Sequence, residues 1–254
     1  MGAPSFLLAA RLGGMAARLL VFDLDGTLIN SSLDLCNSVN AMLVHMGKSV
    51  LPNGVIASYI GDGAAMLVRR ALGDPGDLDS GDQDERVLRE AMEYFIAWYK
   101  VHKLDNTTTY PGVMEALEAI KSANPGVLMG VLTNKPVRPS REICRLLGLE
   151  GFFFQNYGGD SFATKKPDPL GFQSLIGEAD AIFRSRGEGE LEAQEVVMIG
   201  DSDVDVITGR RCGARTVGCT FGIGFHALTA AEPDVLVHEA AEWVGVIAGW
   251  NDRK

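Results

Sequence analysis

The sequence predicts an α/β protein: a doubly wound, mostly parallel sheet interrupted by an inserted helical subdomain. Three observations carry this. Short apolar runs recur along the chain and each stops at polar residues or glycine; amphipathic helical patterns separate those runs; and one long interval, 31–109, holds helical patterns alone. Strand and helix in alternation imply right-handed crossovers, which put helices on both faces of a parallel sheet.

The elements follow in chain order. Residues 1–17 precede the first strong pattern and read as a loose tail. Leu19, Leu20, Val21 and Phe22 are apolar at every position, as a strand covered on both faces requires, and the run ends at Asp23. Runs of the same kind occupy 127–132, ending at Thr133 and Asn134, and 195–199, ending at Gly200 and Asp201; 215–219 and 234–237 are weaker members. Helical patterns span 112–122, 137–147, 170–184 and 204–212, each closed by or near glycine or proline. Inside the interruption, 33–45, 64–72 and 85–100 read as amphipathic helices without an obvious core strand. The segment 73–83, with four Asp, three Gly and one Pro, reads as a solvated turn between two of them, and 185–194 as a surface loop. The expected division is a tail (1–17), an α/β core (18–30 and 110–254) and a helical subdomain (31–109).

Composition narrows the function. The chain has 254 residues with 33 acidic against 23 basic side chains, a formal charge of −10, and no basic run. That excess opposes binding to a polyphosphate backbone, which needs clustered Lys and Arg, so nucleic acid is not an expected partner. No apolar run approaches the roughly 18–20 residues that cross a bilayer, and no basic stretch precedes the N-terminal apolar segment as a signal peptide requires. Cys36, Cys144, Cys212 and Cys219 are scattered without a C-x-x-C pair, which fits a reducing, cytoplasmic setting. His45, His102, His226 and His238 lack ligand spacing, and Tyr94, Phe95 and Trp98 fit helix packing.

Ligands in open α/β sheets bind beyond the carboxyl ends of the strands, so polar residues at several such ends form one group of candidates. After the first strand stand Asp23, Leu24, Asp25, Gly26 and Thr27. Two carboxylates that close repel, and a divalent cation with oxygen ligands resolves the repulsion. Gly26 and Thr27 allow a tight turn whose N–H groups can face an anion. After the 127–132 run come Thr133, Asn134 and Lys135, a hydroxyl and donors suited to a phosphoryl oxygen. Lys165 and Lys166 precede Pro167, Asp168 and Pro169, where a stiffened approach can fix an ammonium group. Gly200, Asp201, Ser202, Asp203, Val204 and Asp205 follow the 195–199 run, with Asp201 placed for metal and Asp205 one helical turn on. Each group alone also fits a structural role: an acidic turn, a helix cap before Pro136, a surface lysine, an acidic first helical turn.

The order of the four is more specific than any one. Asp-x-Asp-Gly-Thr, an apolar strand ending in Thr-Asn, Lys-Pro-x-Pro and Gly-Asp-Ser-x-x-Asp together resemble the haloacid dehalogenase superfamily of phosphohydrolases. Within it the chain is similar to the phosphoglycolate phosphatase family, from about residue 19 to the C-terminus. The resemblance implies a Rossmann-like core and makes the helical insertion a cap; Tyr59, Ile60, Gly61, Asp62, Gly63 and Ala64, on to Leu72, are similar to that family's cap segment. Asn30 stands where an acidic residue is frequent, and Lys165 adds a second charge beside Lys166.

The resemblance further implies a role for each motif residue. Asp23 would be the nucleophile and Asp25 the acid and then the base. Thr133 and the Asn134 backbone would hold phosphoryl oxygens, and Lys166 would stabilise nucleophile and transferred charge. Mg²⁺ would sit among the Asp23 carboxylate, the Asp25 main-chain carbonyl and Asp201, with Asp205 in support. Gly26, Thr27, Gly61 and Arg69 are candidate substrate contacts, Arg69 or Arg70 as the partner of a substrate carboxylate. The expected function is a Mg²⁺-dependent phosphomonoesterase acting on a small phosphorylated metabolite, foremost 2-phosphoglycolate. The alternatives are a phosphatase for a sugar phosphate or pyrophosphate, a phosphomutase, and a non-enzymatic domain in which a phosphorylated Asp is a signal. Monomer and homodimer are both open.

Overall fold

In the computed structural model, residues 17–73 and 82–250 are described. Residues 1–16 of the expected tail and 74–81 of the expected turn lie outside them; Ala17 is buried in the core rather than loose, and residues 82 and 83 already belong to a helix rather than to a turn. The chain runs through β1 (Leu19–Phe22), β2 (Ile29–Asn30), α1 (Ser32–His45), α2 (Asn53–Ala57), α3 (Ala64–Leu72), α4 (Asp82–His102) and β3 (Thr108–Thr109). It continues with α5 (Val113–Ala123), β4 (Leu128–Leu132), α6 (Val137–Leu146), β5 (Gln155–Tyr157), α7 (Leu170–Ser185) and β6 (Val196–Gly200). The last elements are α8 (Asp203–Arg211), β7 (Arg215–Cys219), α9 (Phe225–Ala231), β8 (Val235–Val237) and α10 (Glu242–Gly249).

Six strands form a parallel sheet in the order β5-β4-β1-β6-β7-β8. β1 is central, with Leu19 level with Leu128 on one side and Val196 on the other. From β1 the chain builds one flank, then returns to build the other, and the order reverses there. That reversal opens a crevice at the carboxyl ends of β1, β4 and β6. Alternation along β1 explains its wholly apolar sequence. Leu20 and Phe22 join Val113, Leu117, Ile143 and Trp243 on one face, while Leu19 and Val21 join Phe172, Leu175 and Phe183 on the other.

A third apolar cluster is built by the interrupting helices: Val39 and Met42 from α1, Ile56 from α2, Leu67 and Val68 from α3, Ala91 and Phe95 from α4. Here Phe95 is buried, whereas Tyr94 and Trp98 sit half-buried and stack on His45 and His102. The chain leaves the sheet through β2 and returns through β3, which pair antiparallel, Ile29 with Thr109 and Asn30 with Thr108. β3 lies within 31–109 but belongs to this ribbon and not to the six-stranded sheet, and its two residues are too short to print a period.

Asp34, in the first turn of α1, fastens this crossing. Its carboxylate accepts from the Asn106 N–H (3.0 Å) and side-chain amide (2.7 Å), and from the Thr107 N–H (2.8 Å) and hydroxyl (2.7 Å). Burial alone would raise its pKa, but these bonds hold it below the ordinary 3.8.

Candidate active site

β1 delivers Asp23 to the crevice, and the Asp23 N–H donates to Ile199 O at 2.9 Å, continuing the ladder. The turn that follows is wound tightly: Thr27, Leu28 and Ile29 all donate to Leu24 O, and Gly26 donates to Ile29 O. The N–H groups of Gly26 and Thr27, expected to face an anion, are therefore engaged within the turn. Both residues instead pack against Asp201. Gly26 sits at φ +97°, and a Cβ there would come within 2.0 Å of an Asp201 carboxylate oxygen. The Thr27 hydroxyl lies 3.5 Å from the other oxygen.

Around Asp23 the structure gathers Lys166, Asp201 and Asp205. Lys166 Nζ bonds Asp23 at 2.8 Å and Asp205 at 2.6 Å, and all four residues are buried. Asp205 also accepts from the Ser202 N–H (3.1 Å) and hydroxyl (2.6 Å), a reciprocal cap that starts α8. Asp201 accepts from the Gly224 N–H at 2.7 Å. Carboxylate oxygens of Asp23, Asp201 and Asp205 lie within 4.8 Å of one another.

Three carboxylates thus share one ammonium. Burial, partly opposed by Lys166 and reinforced by Asp205, pushes the Asp23 carboxyl up to about 6. Burial and the neighbouring Asp23 and Asp205 push Asp201 well above its ordinary value. Lys166 moves the other way from what burial dictates, because Asp205 and Asp23 hold its proton. A charge deficit of this kind, lined by hard oxygen donors, fits a divalent metal ion.

Asp25 points to the opposite side. Its carboxylate pairs with Lys135 Nζ, 3.0 Å to each oxygen, and accepts from the Ser31 hydroxyl at 2.5 Å. Lys135 is buried, lies 4.7 Å from the centroid of the Tyr99 ring, and has its pKa raised by Asp25 against the pull of burial. Sequence reasoning missed this pairing: Lys135 follows Thr-Asn, but nothing in the spacing shows that it reaches Asp25. Thr133, buried, accepts the Lys135 N–H at 3.2 Å. Asn134 donates to Gly61 O (3.0 Å) and Lys166 O (3.1 Å), which joins the helical block to the core, and its side-chain oxygen is buried without a partner.

A cavity of about 230 Å³ opens beside these groups. Asp23, Asp25, Thr133, Asn134 and Lys135 form its polar end, and Leu35, Ile60, Leu67 and Phe95 its apolar walls. Gly61 lines it, as expected of a substrate contact, but Arg69 does not. The reason is helical: α3 turns Ala64 and Leu67 inward, and Arg69, two residues beyond Leu67, projects about 200° away. Arg70 is paired with Asp62 at 2.6 Å. The two adjacent lysines also separate, Lys166 entering the cluster while Lys165, exposed, donates to Asp62 O at 2.5 Å. Gly222 is a second residue that sequence reasoning missed; a Cβ there would lie 2.2 Å from Asp201 Cβ and 2.4 Å from Gly26 O.

Comparison with known proteins shows the family. The haloacid dehalogenase-like hydrolase family model matches residues 20–219. A phosphoglycolate phosphatase of Psychrobacter arcticus is 34% identical over 211 residues, 83% of this chain and 86% of that protein. Another, of Rhodospirillum rubrum, is 32% identical over 237 residues, 92% and 93% of the two chains. The crystal structure of a predicted phosphoglycolate phosphatase from Haemophilus somnus superposes with a TM-score of 0.78 at 27% identity, covering 90% of this chain and 97% of that one. Among the described residues no helix is long and apolar enough to cross a membrane. The family model spans the strand ends that carry all four motifs, and the chain belongs to the haloacid dehalogenase-like hydrolases, as a phosphatase of the phosphoglycolate phosphatase-like group.

Proposed function

We propose that the protein is a Mg²⁺-dependent phosphomonoesterase for a small phosphorylated metabolite, with 2-phosphoglycolate as the foremost candidate. One observation carries the reading: Asp23 sits at the cavity end with Lys166 behind it and Asp25 beyond it, a nucleophile and an acid–base group facing one space. The relatives named phosphoglycolate phosphatase support the choice of substrate.

In this reading an Asp23 carboxylate oxygen attacks phosphorus, forming an aspartyl phosphate as the ester O–P bond breaks. Asp25 gives its proton to the departing alkoxide. It then takes one from the water that attacks the phosphoenzyme, releasing phosphate and restoring Asp23. Thr133 and the Asn134 backbone orient the phosphoryl oxygens, and Lys166 offsets the repulsion between the carboxylate and the ester dianion. The Asp23 and Asp201 carboxylates and the Asp25 carbonyl, with Asp205 in support, would hold Mg²⁺, which would supply the remaining charge neutralisation.

Residues 18–30 and 110–254 act as the catalytic core, and 31–109 as a cap whose closure excludes bulk water from the phosphoenzyme. Four free thiols, three of them buried, fit a cytoplasmic setting. The test is phosphate release from a panel of small phosphates, including 2-phosphoglycolate, glucose 6-phosphate and pyrophosphate, with and without chelator. Release that depends on Mg²⁺ and is fastest from 2-phosphoglycolate is expected. Release that survives chelation sinks the metal reading, and preference for a sugar phosphate sinks the substrate.

A further inference from the structure

Excluding Arg69 from the cavity leaves a question about any acidic substrate: which group meets its second negative charge? The lining cations are Lys100, Lys103, Lys135 and Arg138. Lys100 and Arg138 are exposed at the rim, and Lys103 is engaged by Glu142 at 3.3 Å and by Lys100 O at 2.7 Å. Lys135 alone of the four is both buried and beside Asp25.

Lys135 has capacity left. An ammonium carries three donors: Asp25 takes two, and the third faces the Tyr99 hydroxyl, from which an incoming carboxylate can draw it. Next to it stands the buried Tyr99 hydroxyl, whose O–H donates to nothing among the described residues, in a residue that lines the same cavity. Burial holds that hydroxyl up to about 12, so it remains a donor at neutral pH. A buried phenol without a partner costs stability, and a protein keeps one where a ligand completes it.

We infer that Lys135 and Tyr99 form a carboxylate subsite, so that the substrate class is a phosphate monoester whose leaving group carries a carboxylate adjacent to the ester carbon. This rests on the phosphomonoesterase reading above. The distance works because Asp25 meets the ester oxygen and Lys135 touches both oxygens of Asp25. A carboxylate one methylene away from that ester oxygen falls on the neighbouring donors. The apolar walls of Leu35, Leu67 and Phe95 keep water from competing for them.

The experiment compares kcat/KM for 2-phosphoglycolate with that for ethyl phosphate, in which a methyl group replaces the carboxylate, in the wild type, Tyr99→Phe, Lys135→Met and Lys135→Arg. The wild type is expected to prefer the acid by about 100-fold or more. Tyr99→Phe, which removes one oxygen from a packed ring, is expected to cut that preference about tenfold, and Lys135→Met more; Lys135→Arg retains part of it. A preference unchanged in both Tyr99→Phe and Lys135→Met overturns the subsite, as does equal loss on both esters, which would assign Lys135 to holding Asp25 alone. A wild type that hydrolyses both esters equally overturns the subsite and leaves the phosphomonoesterase standing. One that hydrolyses neither overturns the subsite, and phosphate release from the wider panel then decides the phosphomonoesterase reading.

Discussion

Asp34 and Asp201 are both buried carboxylates, and their surroundings are opposite. Asp34 receives four hydrogen bonds from Asn106 and Thr107, and its pKa falls. Asp201 receives one short bond from Gly224, with Asp23 and Asp205 as neighbours, and its pKa rises. Burial pushes both in the same direction, so the supply of donors and the sign of the nearest charges decide the outcome. The lesson is about what each carboxylate is for. Where donors are supplied in full, the group ties α1 to the returning chain; where they are withheld, charge is left for a cation and a phosphoryl group to meet.

The contrast breaks most visibly at Asp23. Asp23→Asn should lower turnover by about four orders of magnitude or more, because an amide cannot form the phosphoenzyme. Its melting temperature should stay level or rise, since one anion leaves a crowded cluster while Lys166 keeps Asp205. Steady-state rates and thermal melts check both halves. Turnover within tenfold of the wild type would remove Asp23 from the chemistry.

Metal addition tests the same cluster through stability. Mg²⁺ should raise the melting temperature of the wild type by a few degrees, because it binds the folded protein alone. Asp201→Asn should lose most of that rise. Equal shifts in the two proteins would place the ion elsewhere.

At Asp34 the effect is smaller and of the other kind. Asp34→Asn replaces one of the two accepting oxygens by a donor, so that at least one of the four donors loses its acceptor, and should cost about 1–3 kcal/mol of unfolding free energy at neutral pH. A carboxyl whose folded pKa lies below its unfolded value adds stability that is present in full above the unfolded value and lost as pH falls through the folded one. The difference between wild type and Asp34→Asn should therefore be greatest near pH 7 and shrink below the ordinary 3.8. Denaturant titrations across that range measure it, and a difference that grows in acid would contradict the assignment.

Much of this was legible in the sequence, and the part that was not has a physical pattern. β1, β4, β6 and β7 printed themselves because both faces are covered, and so did Asp23 and Asp201 at their ends. β5 did not: Gln155 and Tyr157 flank a polar Asn156 on an edge strand paired only with β4, so no apolar run marks it. α9 and α10 were passed over beside the weak 234–237 run. Within the site, motif order located the residues, but contacts that close between distant segments were hidden. Lys135 to Asp25 spans 110 positions and Gly222 meets Gly26 and Asp201 across two loops. Arg69 lies outside the cavity lining because the rotation of α3 is set by which residues the apolar cluster takes, and a sequence shows the charge but not the rotation.

Lys165 gives the smallest and most local test of the comparison. It differs from Lys166 by one position, yet it lies exposed on a main-chain oxygen of the 61–63 segment while Lys166 is 5% exposed between two carboxylates. An exposed bond to a carbonyl competes with water at every moment, so its removal leaves no buried group unsatisfied. Lys165→Met should leave kcat as it is and raise KM by no more than about threefold, through a weaker hold of the helical block on the core. A kcat loss of tenfold or more would mean that the Lys165–Asp62 contact sets the closed position of the block during turnover. The donor rule drawn from Asp34 and Asp201 would then hold for buried groups alone, and the exposed seam between block and core would need its own account.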